Sequence, residues 1–282
     1  MRPVIAAALQ LAPAPSAEES LRRAVALIER CVGETGAELL VLPEAMTTGF
    51  SGLDADALWE AVSDVPGAVS DPIGEVARRL GVHVVFGTYE RGEDAVFNSA
   101  VLVGPDGEVA GVYRKTHLFR TEREWCVAGD EPVVVDTVLG RIGLIICFDG
   151  DFPELARIEA VQGAVIIARP SALLRSADIW ELTNRARAYD NHVFVIGANA
   201  IGTDRGGAHY FGNSMIVGPT ANVLCRATSQ EGWAAATLDP AEFRAISPGS
   251  SVPQSFDHLE DRNVGLYARH RAELETPARA LA

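Results

Sequence analysis

The feature that most constrains the fold is an alternation of apolar runs and amphipathic segments, which fills the first half of the chain. Apolar runs typical of buried strands occupy residues 3–11, 38–42 and 82–89, helical patterns occupy 16–33 and 71–80, and a hairpin pairs 98–103 with 109–113. A capping box at 16–19 and the glycine at position 33 mark the expected ends of the first helix. Such alternation predicts largely parallel, buried strands.

The second half of the chain repeats this plan. Strands are predicted at 141–147, 164–168 and 192–199, helices at 153–162 and 178–191, and a further hairpin at 213–223. The hairpin segment Asn-Ser-Met-Ile-Val-Gly-Pro echoes Asn-Ser-Ala-Val-Leu-Val-Gly-Pro at the matching place in the first half. Two similar halves predict an α/β protein of two face-to-face mixed sheets with helices outside. With no linker between them, residues 1–282 are expected to form one domain, with 241–282 as a C-terminal arm.

Composition excludes several classes of function. The net charge of -14 leaves no basic excess for a nucleic-acid partner, and no apolar run reaches the length of a membrane span. The 4 cysteines are widely spaced, with neither a disulfide framework nor a zinc-ligand pattern among them and the 6 histidines. We therefore expect a cytoplasmic protein that uses no metal and no organic cofactor.

Lys115 is the only lysine in the chain, because the 24 Lys and Arg residues comprise 23 arginines and this one. Lysine offers a compact point charge with a movable pKa, whereas arginine is a planar fork that stays charged. Lys115 is therefore a candidate for a site that a guanidinium cannot serve. The plainer alternative is a residual surface lysine at the end of a hairpin.

Reactive side chains follow three predicted strands, in Pro43-Glu44, Arg114-Lys115 and Ile146-Cys147. Since α/β sheets present their sites at the carboxyl ends of strands, a thiol, a carboxylate and an ammonium brought together there would suit acyl transfer. Cys147 would be the nucleophile on a strand-to-helix turn, with the backbone N–H of Phe148 facing an oxyanion. Taken singly, a buried inert cysteine and a surface carboxylate are the better explanations of Cys147 and Glu44.

Taken together, three segments resemble the nitrilase, or carbon–nitrogen hydrolase, superfamily. They are Pro43-Glu44-Ala45, Tyr113-Arg114-Lys115-Thr116-His117-Leu118-Phe119 and Cys147-Phe148-Asp149-Gly150-Asp151-Phe152-Pro153-Glu154, and their order matches the Glu–Lys–Cys triad of that family. The resemblance implies a four-layer αββα sandwich, a homodimer or higher homo-oligomer, and hydrolysis of a small-molecule amide through a cysteine thioester. It also implies an accessory glutamate, which we place at Glu122, with Glu124 as the alternative.

The substrate is less constrained. Asp149 and Asp151 indicate a neutral or cationic substrate, whereas Arg169 could bind a carboxylate, and Asp151 is also the expected cap of the helix at 153–162. The amidase branch fits best, with hydrolysis of N-carbamoyl compounds as the alternative and a nitrile hydrolase or a non-catalytic binding protein less favoured. A Cys–His hydrolase using Cys147 with His117 or His192 would leave Lys115 unexplained.

Overall fold

The computed structural model describes residues 1–244 and 257–275. Its strands are β1 (Val4–Gln10), β2 (Leu39–Val41), β3 (His83–Arg91), β4 (Val96–Val103), β5 (Val109–Arg114), β6 (Val134–Thr137), β7 (Gly140–Leu144), β8 (Ile166–Ser171), β9 (Phe194–Asn199), β10 (Ile201–Thr203), β11 (His209–Phe211), β12 (Met215–Val217), β13 (Val223–Arg226) and β14 (Gly232–Leu238). Its helices are α1 (Ala17–Thr35), α2 (Ala55–Ala61), α3 (Ser70–Leu80), α4 (Pro153–Val161), α5 (Ala177–Asn191), α6 (Val264–Arg269) and α7 (Arg271–Glu275). Short 3₁₀ turns cover Arg120–Glu124, Cys147–Asp151 and Pro240–Arg244.

The strands form two six-stranded sheets of similar plan. The first sheet has the order β14-β1-β2-β3-β4-β5 and the second β13-β12-β9-β8-β7-β6. Three central strands run parallel in each sheet: β1, β2 and β3 in the first, and β7, β8 and β9 in the second. A hairpin then continues each sheet with antiparallel strands, β4 and β5 in the first and β12 and β13 in the second. Each sheet also has an antiparallel edge strand on its other side, since β14 pairs with β1 and β6 pairs with β7. The predicted pair of mixed sheets built from two similar halves is confirmed.

The core lies between the two sheets and on their outer faces. Side chains alternate along β1, so that Ala6 and Ala8 enter the core between the sheets while Ala7 and Leu9 pack beneath the helices of the first half. The second sheet supplies Ile167 and Ile196 to the same inter-sheet core. Helices α1 and α3 cover the first sheet, and α4 and α5 cover the second. These layers make the αββα sandwich.

Two predicted helix boundaries are wrong. Helix α1 continues past Gly33 and ends at Gly36, whose φ of 70° permits the left-handed turn and whose N–H donates to the Val32 carbonyl at 2.8 Å. Helix α4 begins after Phe152 without a side-chain cap. Asp151 does not cap it, because the Asp151 carboxylate pairs with Arg175 at 2.7 Å.

The strand predicted at 141–147 ends three residues early, at Leu144. The Ile146 N–H donates to the carboxylate of Asp149 at 2.8 Å instead of to a neighbouring strand. The chain thereby leaves the sheet before Cys147, which starts a 3₁₀ turn. In the C-terminal arm, α6 and α7 lie within the described residues, whereas the Pro248–Ser251 segment lies outside them. None of the described helices is long and apolar enough to cross a membrane.

Candidate active site

Glu44 lies three residues after the end of β2, where the chain passes very close to β3. The Gly87 N–H donates to the Pro43 carbonyl at 3.0 Å, and a β-carbon on Gly87 would lie only 2.4 Å from the Cα of Glu44. Only glycine permits this approach. The Glu44 side chain is fully buried, and its Oε2 accepts the Ala172 N–H at 2.8 Å. Both sheets therefore hold this carboxylate, since Ala172 follows β8.

Lys115 follows β5 and is fully buried, not at an exposed hairpin end. Its Nζ lies 2.7 Å from Oε1 of Glu44 and 2.9 Å from Oε2 of Glu122. The backbone N–H of Lys115 donates to the Asn98 carbonyl at 2.8 Å. Burial alone would lower the pKa of Lys115, but the charges of the two glutamates outweigh it and raise that pKa above its usual range. The ammonium therefore stays charged although its side chain is fully buried.

Glu122 is the second carboxylate against Lys115, and it lies in the 3₁₀ turn that follows. Its Oε2 also accepts the Phe119 N–H at 2.9 Å. Burial raises the pKa of Glu122; the nearby Lys115 opposes this shift and the charge of Glu44 adds to it. The alternative residue, Glu124, is exposed. The structure thus brings Glu122 to Lys115 and leaves Glu124 at the surface.

Cys147 starts a tight turn with an unusual backbone conformation. Its φ is 42°, in the left-handed region that non-glycine residues rarely adopt. Its carbonyl accepts two hydrogen bonds from the Arg169 guanidinium, at 3.0 Å from Nε and 2.5 Å from Nη2. Burial, reinforced by the charge of Glu44, raises the pKa of the Cys147 thiol, and the positive charges of Lys115 and Arg169 oppose this only in part. The free thiol is therefore neutral at neutral pH.

The Phe148 N–H belongs to the first turn of the same 3₁₀ segment, where backbone donors have no intrahelical acceptor. The Phe148 ring meets Phe119 edge to face, with 5.2 Å between ring centroids, and it meets Phe152 in the same way at 5.0 Å. The ring thus lines one side of the space above Cys147. The predicted oxyanion donor thus belongs to the residue that directly follows Cys147 in this turn.

Asp149 is buried and fully engaged with protein groups. Its Oδ2 accepts the Tyr113 hydroxyl and the Ile146 N–H, each at 2.8 Å. Its Oδ1 lies 3.0 Å from the His117 backbone nitrogen and 2.8 Å from the His117 Nδ1. The carboxylate therefore connects the segment that carries Lys115 to the turn that carries Cys147, and it does not face the substrate space.

Arg169 and Asp151 also have protein partners. The Arg169 side chain is fully buried; besides the Cys147 carbonyl it reaches Asn184 at 2.8 Å, and burial lowers the pKa of Arg169 to about 10. Asp151 is partly exposed and lies between two guanidiniums, 2.7 Å from Arg175 and 3.9 Å from Arg169. The structure therefore leaves neither Arg169 nor Asp149 free to bind a substrate.

A small cavity of about 10 Å³ lies above Cys147. Its lining is mostly aromatic and aliphatic, with a single guanidinium, and consists of Phe50, Phe119, Cys147, Phe148, Ala172, Leu173, Leu174 and Arg175. The ring of Phe50 also lies 5.5 Å from the Lys115 ammonium. The two histidines of the alternative mechanism have other partners, since His117 stacks on Phe152 and His192 accepts the N–H of His258.

Sequence reasoning missed two side chains of this site. Asn98, on β4, is fully buried and donates through Nδ2 to Glu44 at 2.7 Å and to Glu122 at 2.5 Å. The signal available in the sequence was a polar residue, Asn98, near the start of an otherwise apolar strand. Arg175 was missed because a loop arginine has no pattern. Among the described residues, no three His, Cys, Asp or Glu side chains are grouped to hold a metal ion.

Comparisons with known proteins agree with this geometry. A family model described as carbon-nitrogen hydrolase matches residues 5–247. A protein named nitrilase from Pyrococcus abyssi is 39% identical over 201 residues, covering 70% of this chain and 74% of the relative. A chloroplastic omega-amidase from Arabidopsis thaliana is 32% identical over 245 residues, covering 82% of this chain and 66% of the relative.

The fold has close counterparts among solved structures. A carbon-nitrogen hydrolase from Helicobacter pylori G27 superposes with a TM-score of 0.84 at 26% identity, and the match covers 95% of this chain and 98% of that one. The family model spans most of the chain, and the buried carboxylates, lysine and cysteine occur within it. The chain therefore belongs to the carbon–nitrogen hydrolase family.

Proposed function

We propose that this protein hydrolyses an amide bond of a small molecule through a thioester on Cys147. One observation carries the proposal: a fully buried lysine is held 2.7 Å and 2.9 Å from two glutamates, beside a cysteine at the base of a cavity. Burying three charges has a large desolvation cost that a merely structural role would not require. In the proposed roles, Glu44 is the general base and acid, Lys115 stabilises charge, and Cys147 is the nucleophile.

The first half-reaction forms the acyl-enzyme. Glu44 takes the proton of the Cys147 thiol as the sulfur attacks the amide carbon, since the thiol is neutral before substrate binds. The Lys115 ammonium and the Phe148 N–H stabilise the tetrahedral oxyanion. Glu44 then gives its proton to the departing nitrogen, the C–N bond breaks, and ammonia or an amine leaves behind a thioester.

The second half-reaction releases the acid. Glu44 takes a proton from a water molecule, and the resulting hydroxide attacks the thioester carbon. The same donors stabilise the second oxyanion. The C–S bond then breaks, the carboxylic acid departs, and the proton held by Glu44 returns to the sulfur of Cys147.

Glu122 and Asn98 are positioning groups in this scheme. Glu122 holds the ammonium together with Glu44, and Asn98 donates to both carboxylates. A second negative charge beside Lys115 keeps it protonated throughout the cycle, which a donor to an oxyanion requires. Asp149 and Arg169 hold the backbone around Cys147, so we assign them supporting roles in place of the substrate contacts expected from the sequence.

Nitrile hydrolysis is the second candidate, because the relative that is 39% identical is named a nitrilase. A thiolate can add to a nitrile carbon as it adds to an amide carbon, and two waters then give the acid and ammonia. The omega-amidase relatives favour the amide. A panel of amides, N-carbamoyl compounds and nitriles, read out by ammonia release, separates these substrates.

Replacing the nucleophile is the direct test. Cys147→Ala should abolish ammonia release, and hydroxylamine added to the wild-type enzyme should trap the acyl group as a hydroxamate. Cys126→Ala is the matched control, because Cys126 is also buried near Glu122 but lies outside the cavity. It should keep most of the activity. Undiminished turnover by Cys147→Ala would overturn the assignment.

We further propose that residues 1–282 form one cytoplasmic domain that assembles as a homodimer or larger homo-oligomer. The 4 cysteines are all free thiols, which suits a reducing compartment. Large apolar side chains are exposed on the outer helices of the second sheet, among them Ile158, Leu182 and Tyr189, and Tyr189 also lines a groove with residues of the C-terminal arm. Light scattering coupled to size exclusion measures the assembly directly.

A further inference from the structure

The space above Cys147 is too small to hold a substrate in this structure. Its volume of about 10 Å³ is room for one water molecule, whereas sites for small molecules usually enclose about 300 Å³ or more. A second cavity of about 10 Å³ lies beside Glu44. Phe50 and Ala172 line both cavities. An amide can therefore reach the thiol only after part of the surrounding wall has moved.

Two aromatic parts of this wall are tied to the catalytic groups. The Phe119 N–H donates to the carboxylate of Glu122 at 2.9 Å, and the Phe119 ring meets Phe148 edge to face with 5.2 Å between centroids. Phe148 directly follows Cys147 in the 3₁₀ turn. Moving either ring would therefore disturb the carboxylate or the thiol, so we look for the opening elsewhere in the wall.

Phe50 lies in a short loop that has a glycine hinge at each end. Gly49 has a φ of 72° and Gly52 a φ of 87°, in the left-handed region that glycine adopts without strain. The loop belongs to no strand and to no helix. The Phe50 ring lies 5.5 Å from the Lys115 ammonium and 6.4 Å from the centroid of the Phe119 ring. Residues 49–52 therefore place one aromatic ring over the site and can turn at both ends.

A contact between Ser51 and Asp204 anchors this loop to the second half of the chain. The Ser51 N–H donates to Oδ2 of Asp204 at 2.9 Å, and the Ser51 hydroxyl donates to Oδ1 at 2.8 Å. The Asp204 carboxylate also accepts the Tyr210 hydroxyl at 2.7 Å and the Ala208 N–H at 3.0 Å. Its own loop therefore fixes the carboxylate in advance and presents it to Ser51.

The backbones of Gly52 and Gly206 also touch beside this contact. A β-carbon on Gly206 would lie 2.6 Å from the backbone nitrogen of Gly52, and a β-carbon on Gly52 would lie 2.7 Å from the Cα of Gly206. Both distances are far below the 3.5–4.0 Å of a favourable carbon contact. The loop can therefore lie in its present position only because both residues are glycines.

We propose that residues 49–52 form a lid over the active site and that the Ser51–Asp204 contact keeps this lid closed. Opening breaks that contact and turns the loop at its two glycines, which moves the Phe50 ring away and admits the substrate. Closing returns the ring to the side of the Lys115 ammonium and keeps bulk water from the thioester. The inference rests on the proposed function only in taking Cys147 as the group that the substrate must reach.

The rate at which iodoacetamide alkylates Cys147 tests the lid, and the mass of the peptide that contains Cys147 measures it. Ser51→Ala removes the hydroxyl bond to Asp204. Gly206→Ala places a methyl group where the closed loop lies, and it adds no backbone strain because Gly206 has no positive φ. If opening precedes labelling, the rate follows the population of the open form. We expect labelling about tenfold faster or more in each variant, as for the loss of a hydrogen bond to a charged group.

Matched controls separate a lid from general loosening. Thr203→Ala lies next to Asp204, but the Thr203 side chain is exposed and contacts His209, so Cys147 should label at the wild-type rate. Within each variant, the buried Cys31 of α1 reports the overall fold. Equal labelling of Cys147 in the wild type and both lid variants would overturn the proposal. An increase at Cys31 as large as that at Cys147 would overturn it as well.

Labelling needs no turnover, so the lid and the reaction can fail separately. Ammonia release from the panel of amides is measured on the same proteins. If the labelling of Cys147 depends on Ser51 and Gly206 while no amide gives ammonia, the proposed reaction fails and the lid stands. If amides are hydrolysed while Cys147 labels at one rate in all of these proteins, the lid fails and the reaction stands.

Discussion

Asp149→Asn tests whether the buried carboxylate behind the cysteine turn holds the site together. The substitution keeps the size of the side chain and removes its charge and one acceptor. Asp149 links Ile146, in the turn before Cys147, to Tyr113 and His117, which flank Lys115. We therefore expect loss of stability and of activity together.

The size of the effect follows from the hydrogen bonds. An amide nitrogen in place of Oδ2 would point a donor at the Ile146 N–H, and a buried unsatisfied donor costs about 1–3 kcal/mol. The Tyr113 hydroxyl can rotate to accept from the amide. The two bonds from His117 to Oδ1 lose a charged acceptor, which costs about 1 kcal/mol each. The expected loss is about 3–5 kcal/mol, less than the total stability of most domains.

Urea unfolding followed by tryptophan fluorescence measures this loss. Asp151→Asn, two residues along the same turn, is the control, because the Asp151 side chain is 21% exposed and pairs with a partly exposed arginine. It should cost less than about 1 kcal/mol. We expect at least a tenfold fall in kcat for Asp149→Asn, since a small displacement of the turn misaligns the thiol. A loss below 1 kcal/mol in Asp149→Asn would refute the reasoning.

Two further predictions concern Lys115 and a buried acid outside the site. Lys115→Arg keeps the charge but forces a larger planar group between two fixed carboxylates, so we expect at least a 100-fold fall in kcat/KM, as for removal of an oxyanion donor. Arg78→Lys, an exchange at an exposed arginine of α3, is the control and should be nearly silent. A Lys115→Arg enzyme with more than a tenth of wild-type activity would contradict us. Burial raises the pKa of Glu159 well above its usual 4.5, so its contribution to stability is complete below pH 4.5 and is lost as the pH rises. Above pH 5, the free energy of unfolding of the wild type should therefore fall with pH more steeply than that of Glu159→Gln, by about 1.4 kcal/mol per pH unit. If the free energies of unfolding of variant and wild type changed in parallel with pH, Glu159 would ionise normally.

The order of elements could be predicted because it depends on local periodicity. Strands buried on both faces are continuous apolar runs, and the helices over them show an apolar stripe, so both halves were recognisable from the sequence. The candidate residues Glu44, Lys115 and Cys147 could be chosen because each follows a strand. Their mutual distances needed the structure.

What could not be predicted are contacts between segments distant in the sequence. Arg169 lies in an apolar strand, and nothing local indicates that its guanidinium holds the carbonyl of Cys147. Asp149 and Asp151 are equivalent in the sequence, but one is enclosed by Tyr113 and His117 and the other reaches Arg175. These differences arise from how the two sheets pack.

Because Lys115 is buried, its chemical modification can report local opening of the structure. Because Lys115 is the only lysine in the sequence and is fully buried, this chain presents no ε-amino group at its surface to acylating or reductive-methylation reagents. Its raised pKa protects it further, since only the neutral amine reacts. Modification of Lys115 then requires the packing around its ammonium to open, and the mass increment on the peptide that contains Lys115, read apart from labelling of the α-amino group, would count each such event. Slower labelling with a bound substrate analogue would measure how strongly the ligand keeps the two sheets closed.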